Sequence, residues 1–208
     1  MTRSDGMVLA SVDGIASFVH PASLDRLDAR THRRYERIAP VNGLGERVLG
    51  WMLTGAEESA GRREIVALSG LARGMRLLEV SPGPGVFQPL LREAVGPEGE
   101  IAALDLSLNM LRQCRKRHAR MHIELIHADA QKLPFADECF DGLFHFGGVN
   151  PFNEPARALA EFVRVVRKGG TVIWDGERMS PPFRRPLGRR IRPSLDPGFA
   201  SAPPVSAR

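Results

Sequence analysis

The stretch that most constrains this chain is Leu77-Leu78-Glu79-Val80-Ser81-Pro82-Gly83-Pro84-Gly85. Its apolar first half predicts a buried strand, and its proline and glycine residues end that strand in a loop. Gly83 and Gly85 lack a Cβ atom, so the main chain can take positive φ there and a small molecule can approach it closely. Residues 86–93 predict a helix. The loop therefore lies between the end of a strand and the start of a helix, where open α/β sheets bind ligands.

The spacing of this loop argues against two common nucleotide-binding motifs. The dinucleotide fingerprint G-x-G-x-x-G/A requires a small residue three positions after its second glycine, and Gln88 stands there. A phosphate-binding P-loop ends in Gly-Lys-Ser/Thr, and residues 81–99 contain no lysine. These departures count against NAD, ATP and GTP as ligands.

A second carboxylate follows the next predicted strand. Residues 100–105, Glu-Ile-Ala-Ala-Leu-Asp, come after a Gly- and Pro-rich turn and predict a strand that ends at Asp105. Asp105 lies about 20 residues beyond the loop, which is the spacing of the acidic residue that binds ribose hydroxyls in nucleotide-binding α/β units. An aspartate at a strand end can also cap the following helix. Together with the glycine loop, Asp105 predicts a ribose contact.

Four segments resemble class I S-adenosylmethionine-dependent methyltransferases, and Tyr35-x-x-x-Ala39-Pro40-Val41 resembles the lead-in of the quinone-biosynthesis and small-molecule type. Glu79, Gly83 and Gly85 match the first motif, E/D-x-G-x-G-x-G, in which Ser81 replaces the first glycine. Residues 105–111 are close to D-x-S-x-x-M-L, and residues 128–141 resemble G-D-A-x-x-L-P-F followed by F-D. Arg167-Lys168-Gly169-Gly170 resembles the turn R-V-L-K-P-G-G. The resemblance covers roughly residues 34–178.

The resemblance implies S-adenosylmethionine as the cofactor, a small-molecule methyl acceptor and an in-line methyl transfer. The cofactor contacts that it implies are Glu79, Ser81, Gly83 and Gly85 for the methionine part, Asp105 for the ribose, Leu106 and Met110 beside the adenosine, and Asp129 and Ala130 for the adenine. Because Ser81 adds a Cβ atom where the family's main chain comes closest to the cofactor, a non-catalytic or partner-dependent methyltransferase-like protein is the alternative.

His145 is the candidate catalytic residue. It is the only titratable side chain between Asp141 and Glu154, and an imidazole can accept a proton near neutral pH. A packed or capping histidine is the alternative. We expect no metal site, because His118 and His122 are separated by the predicted end of a helix.

The order of the predicted elements indicates a doubly wound, mainly parallel α/β sheet of five strands that lacks the family's last two strands. We expect a homodimer or a protein partner to complete such a sheet. The helix predicted from Pro155 to Arg167 has an apolar stripe of Ala158, Leu159, Phe162, Val163 and Val166. The expected organisation is a flexible N-terminal segment (1–33), a helical lead-in (34–73), the cofactor-binding α/β domain (74–178) and a basic, Pro-rich, disordered tail (179–208).

Charge and composition bear on partners and compartment. The formal charge of +5 belongs to the tail, where six arginines after residue 180 face only Asp196. A nucleic-acid-binding protein is thus a second alternative, but the tail's only aromatic residues are Phe183 and Phe199, and we do not expect nucleic acid as a partner. We expect no membrane span and a cytoplasmic location, since apolar runs are short and the two cysteines form no C-x-x-C pair.

Overall fold

The computed structural model describes residues 10–19, 55–146 and 152–174. Among these residues no helix is long and apolar enough to cross a lipid bilayer. The elements, in chain order, are β1 (Ala10–Val12), β2 (Ile15–Ser17), α1 (Gly55–Leu68), β3 (Arg76–Val80), α2 (Gln88–Val95), β4 (Glu100–Asp105), α3 (Leu108–Arg117), β5 (Glu124–His127), β6 (Phe140–His145), α4 (Pro155–Val165) and β7 (Val166–Trp174).

The strands form one sheet in the order β1-β2-β5-β4-β3-β6-β7. β1 and β2 are antiparallel, and every other neighbouring pair is parallel. The chain moves outward from β3 through β4 to β5 and then returns to the other side of β3 for β6 and β7. Val80 lies opposite both Leu104 and His145, so the carboxyl ends of the central strands meet at one edge. The predicted doubly wound, mainly parallel α/β sheet is confirmed, and β3 to β7 correspond to the five predicted strands.

Apolar side chains alternate between the two faces of the central strands and form a core on each face. Leu77 and its neighbours on one face pack against α1 and α2, and Leu78 and its neighbours on the other face pack against α4. The helical members of these cores are Val66, Leu91 and Val95 on the first face and Ala158, Phe162 and Val165 on the second. The two cores hold the central strands in register and so fix the edge at which their loops meet.

Residues 10–17 form regular structure within the N-terminal segment that we expected to be flexible. β1 and β2 form a hairpin that extends the sheet beyond β5. Asp13 and Gly14 at its turn have positive φ (53° and 74°), as a two-residue hairpin turn requires. The strands have three residues each, too few to show a period, although the Asp-Gly pair is a recognised hairpin signal. The other expectations for residues 1–33, the lead-in before Gly55, the missing last strands and the tail lie outside the described residues.

The helix predicted from Pro155 to Arg167 ends earlier than expected. α4 stops at Val165 because Val166 already pairs with Phe140 in the sheet, and the pairing shifts register before it resumes at Thr171. The predicted apolar stripe is also wrong at Val163, which is 66% exposed, whereas Val165 is buried. Successive helical positions differ by about 100°, so Val165 returns to the face of Ala158 and Phe162 and Val163 does not.

We expect the substitution Phe162→Ala to lower the free energy of unfolding by about 3–5 kcal/mol, because the Phe162 ring is fully buried and its removal leaves a cavity. The neighbouring substitution Val163→Ala is the control and should change stability by less than about 0.5 kcal/mol, since that side chain is mostly exposed. Urea unfolding followed by circular dichroism measures both. Comparable losses in the two variants would contradict the placement of α4.

Candidate functional site

The loop between β3 and α2 lies at the topological switch point of the sheet. In the sheet β3 lies between β4 and β6, so the chain continues on one side of β3 and later returns to the other. Its first residue, Ser81, has a positive φ of 57°, and its N–H donates to the Leu104 carbonyl oxygen at 2.7 Å. This conformation costs a residue with a Cβ atom about 1–2 kcal/mol, which explains why the motif has a glycine there. Ser81 therefore adopts a backbone conformation that glycine takes without this cost.

The two glycines of the loop have different surroundings. A Cβ atom on Gly85 would lie 2.7 Å from the Cys114 Sγ and 2.9 Å from the His118 Cδ2, both on or next to α3. A Cβ atom on Gly83 would meet no atom within 4 Å. Gly85 thus lets the loop pack directly against α3, whereas Gly83 leaves open space at the main chain that a ligand can enter.

The His118 side chain forms a hydrogen bond with the glycine loop. Its Nε2 lies 2.7 Å from the Gly85 carbonyl oxygen, and because a carbonyl only accepts, the Nε2–H donates. Burial lowers the pKa of His118 below its usual value, so the neutral imidazole predominates at pH 7. Burial, followed by the charges of Glu79 and Asp105, raises the pKa of the Cys114 thiol to about 12. Cys114 is therefore a protonated, packed side chain.

Asp105 lies beneath the loop and is held by two main-chain donors. Its Oδ2 accepts from the Gly83 N–H at 3.1 Å, and its Oδ1 accepts from the Ser107 N–H at 2.8 Å. Ser107, rather than Asp105, is the N-cap of α3, because its Oγ accepts from the Met110 N–H at 3.2 Å. Each carboxylate oxygen has two lone pairs, so Asp105 can accept further hydrogen bonds from a ligand.

Glu79 is a buried carboxyl group with an exposed fraction of only 3%. Burial raises its pKa to about 8, the hydrogen bond from Gln88 lowers it, and the negative charge of Asp105 raises it further. The Gln88 Nε2 donates to the Glu79 Oε2, and the Gln88 Oε1 has no hydrogen-bond partner within the described residues. Sequence reasoning treated Gln88 only as a mismatch to the dinucleotide motif and missed this contact.

Asp129 and Ala130 follow β5 at the same edge. The Asp129 Oδ1 accepts from the N–H of Gln131 at 2.8 Å and from its Nε2 at 3.2 Å, which leaves Oδ2 outside these bonds. The Gln131 Oε1 accepts from the Glu154 N–H at 2.6 Å and so ties this loop to the start of α4. Ala130 is buried in the core on the α4 face. Gln131 was not singled out from the sequence, since no local pattern shows its contact with residue 154.

Leu106 and Met110 lie beside Asp105. The Leu106 carbonyl oxygen accepts from the His127 Nε2–H at 3.0 Å, so the Ser17 hydroxyl donates to the His127 Nδ1 at 2.8 Å when the ring is neutral. Met110 is buried in the first turn of α3. The N-terminal hairpin is thereby connected through His127 to the loop that follows β4.

His145 lies at the same edge of the sheet, but its side chain is packed in the core. It is 1% exposed, its Nδ1 is 3.0 Å from the Val80 carbonyl oxygen, and its ring is 5.3 Å from Phe152 and 5.7 Å from Phe162. This placement favours the packed-histidine alternative over a general base. The loop of residues 147–151 that follows β6 lies outside the described residues.

The structure therefore brings Glu79, Ser81, Gly83, Gly85 and Asp105 together around one loop, with Asp129 at the end of β5 along the same edge. Oxygen acceptors predominate, and main-chain space is open at Gly83. These acceptors fit the cofactor implied by the sequence, because S-adenosylmethionine offers an ammonium group, ribose hydroxyls and an adenine amino group as hydrogen-bond donors.

Sequence comparison finds a family match and curated relatives. Residues 78–174 match the methyltransferase domain family. The chain is 34% identical over 153 residues to the demethylmenaquinone methyltransferase of Renibacterium salmoninarum. This match covers 73% of the present chain and 60% of the relative. The chain is 31% identical over 146 residues to the enzyme of the same name from Listeria welshimeri, covering 69% and 60%. The chain thus spans about 60% of the length of these curated relatives.

Solved structures agree on the fold. The methyltransferase chain in a complex with the Haloferax volcanii Trm112 methyltransferase activator superposes with a TM-score of 0.63 at 18% sequence identity, covering 81% of this chain and 74% of that one. At this identity the likeness shows the fold alone. The shared fold places the glycine loop of this chain at the position where the sheet reverses its strand order.

We expect Gly85→Ala to destabilise the protein by at least about 2 kcal/mol more than Gly83→Ala. Both glycines have positive φ, 79° and 55°, so each alanine carries a similar backbone cost, but only the alanine at 85 overlaps Cys114 and His118. Urea unfolding of the two variants measures the difference. Equal losses would show that α3 does not pack against Gly85 as described.

The raised pKa of Glu79 predicts how stability depends on pH. The pKa of Glu79 is about 8 in the folded chain and about 4.5 in the unfolded chain, so the folded chain binds the proton more tightly. The contribution of this proton to the free energy of unfolding is therefore complete below pH 4.5 and is lost as the pH rises to 8. Glu79→Gln stays neutral, so its stability relative to the wild type should increase by a few kcal/mol between pH 5 and pH 9. Unfolding curves at both pH values test this, with the exposed Glu98→Gln as the control. If the free energy of unfolding changes with pH by the same amount in Glu79→Gln and in the wild type, the raised pKa of a buried Glu79 is contradicted.

Proposed function

Because residues 78–174 match the methyltransferase domain family and the curated relatives are methyltransferases, we propose that the protein is a class I S-adenosylmethionine-dependent methyltransferase that acts on a small-molecule acceptor. The observation that carries the proposal is the convergence of Glu79, Gly83 and Asp105 around one loop at the switch point of the sheet. When bound, the cofactor would supply an electrophilic methyl group. An acceptor nucleophile attacks this methyl carbon in line with the carbon–sulfur bond, which breaks and releases S-adenosylhomocysteine.

In this proposal Asp105 accepts hydrogen bonds from the ribose hydroxyls. The N–H groups of Gly83 and Ser107 already fix its two oxygens, so little conformational freedom remains to be lost when the ligand binds. The main chain at Gly83 gives the ligand room, and Glu79 takes the ammonium group of the methionine part. Binding of a cation at Glu79 requires the ionised carboxylate, so a proton leaves Glu79 on binding below pH 8.

The adenine is proposed to lie at the end of β5. Asp129 has one oxygen held by Gln131 and offers the other to the adenine amino group. Leu106, Met110 and Ala130 supply apolar surroundings for the adenosine. The support for these roles is the position of the three segments along the same edge of the sheet and their match to the family's motifs.

We propose a quinone-like aromatic compound as the acceptor, because the curated relatives are demethylmenaquinone methyltransferases. His145, the candidate base, is buried against Val80, Phe152 and Phe162, so we assign the acceptor's proton to no side chain of the described residues. Catalysis then rests on holding the acceptor and the methyl group in line, which by itself lowers the barrier substantially.

Oligomeric state and compartment complete the proposal. β7 lies at an edge of the described sheet, so we retain a homodimer or a protein partner that pairs along it as the way the sheet is completed. The molecular mass in solution, measured by light scattering, distinguishes a monomer from a dimer. We retain the cytoplasm as the compartment because Cys114 and Cys139 are free thiols.

We expect Asp105→Asn to weaken binding of S-adenosylhomocysteine at least tenfold, since the amide replaces one oxygen acceptor by a donor and removes the charge. Asp137→Asn is the matched control, because Asp137 precedes β6 at the opposite edge and pairs with Arg164. Calorimetric titration measures both affinities, and transfer of labelled methyl groups to a reduced quinone tests turnover. No binding by the folded wild type would overturn the proposal. Binding without transfer to any aromatic acceptor would favour the non-catalytic alternative.

A further inference from the structure

Two polar side chains face each other behind the glycine loop, and both are almost completely buried. Glu79 is the second-last residue of β3 and is 3% exposed, and Gln88 begins α2 and is fully buried. The Gln88 Nε2 donates to the Glu79 Oε2. A glutamate and a glutamine are seldom buried to this extent unless their polar atoms are satisfied, so the pair requires an explanation.

The hydrogen bonds and charges at this pair are incomplete. In the part of the chain that the structure describes, the Gln88 Oε1 has no hydrogen-bond partner, and no basic side chain forms an ion pair with Glu79. The charge that acts on the pKa of Glu79 is the negative one of Asp105, which raises it. A buried carbonyl oxygen without a hydrogen bond is unfavourable, so this acceptor requires an explanation.

The chemistry of these acceptors indicates what would satisfy them. When Glu79 is ionised, as the binding of a cation requires, its carboxylate oxygens and the Gln88 Oε1 are all acceptors, and the Gln88 amide nitrogen donates to the carboxylate. The complementary group is a cation with several N–H donors, and a primary ammonium has three. Charge-assisted hydrogen bonds of this kind are about twice as strong as neutral ones.

Resting on the function proposed above, we propose that Gln88 is a positioning residue for the cofactor's ammonium group. Its amide nitrogen holds the Glu79 carboxylate in place, and its Oε1 accepts one of the ammonium hydrogens. The pair then makes the site selective for ligands that carry an amino group over those that contain only the adenosine part.

The test compares two ligands that share the adenosine. S-Adenosylhomocysteine carries the amino group, and 5′-methylthioadenosine lacks the amino-acid part. We expect Gln88→Leu to weaken S-adenosylhomocysteine at least tenfold and methylthioadenosine less than twofold, both measured by calorimetric titration. Gln131→Leu is the matched control, because Gln131 supports Asp129 at the proposed adenine position. It should weaken both ligands to the same extent.

The outcomes separate this inference from the proposed function. Equal weakening of both ligands in Gln88→Leu, or none in either, would overturn the role of Gln88 while the wild type still binds. Failure of the wild type to bind either ligand would instead overturn the proposed function. Gln88→Met, which keeps the length of the side chain, should show the same split if the leucine variant does not fold. Equal affinity of the wild type for S-adenosylhomocysteine and for its analogue without the amino group would also exclude the ammonium subsite.

Discussion

The hydrogen bond from the Gly83 N–H to the Asp105 carboxylate is the interaction on which the site depends. It joins the loop after β3 to the end of β4, and the Ser81 N–H to the Leu104 carbonyl oxygen provides a second link between the same strands. Both bonds require the in-register pairing of β3 with β4, because Val80 must lie opposite Leu104. The sheet register, the left-handed loop conformation and the position of the carboxylate are thus one connected arrangement.

Two carboxyl groups, those of Glu79 and Asp105, determine the electrostatics of this arrangement. Glu79 and Asp105 are close enough for each charge to oppose the other, and burial already disfavours the ionised form of Glu79. Repulsion between the two carboxylates destabilises the chain when no ligand is bound. A cation between them relieves this repulsion, so the pair of acids has the properties expected of a binding site rather than of a structural feature.

The sequence predicted the parts of the molecule that depend on local pattern. The apolar runs of β3 and β4, the glycine loop and Asp105 follow from period, turn chemistry and spacing, and the structure places them together. Contacts between distant residues were not predictable in this way. Gln88 was read only against the dinucleotide motif, although in the structure it contacts Glu79, and Gln131 gives no sequence sign that it contacts Glu154. The exposed Val163 shows the related limit for helices, because one residue's shift along the chain changes the face by about 100°.

The hydrogen bonds through His127 have a consequence for where the functional unit begins. The Ser17 hydroxyl contacts one ring nitrogen, and the other contacts the carbonyl oxygen of Leu106, next to Asp105. The segment that matches the methyltransferase domain family starts at residue 78, more than sixty positions after the hairpin. A fragment limited to that match would keep the glycine loop and Asp105 and would lose β2, whose Ser17 contacts His127 and through it the loop after β4. The smallest piece of this chain that reproduces the site is therefore defined by the hydrogen bonds of the sheet and includes residues that carry no motif.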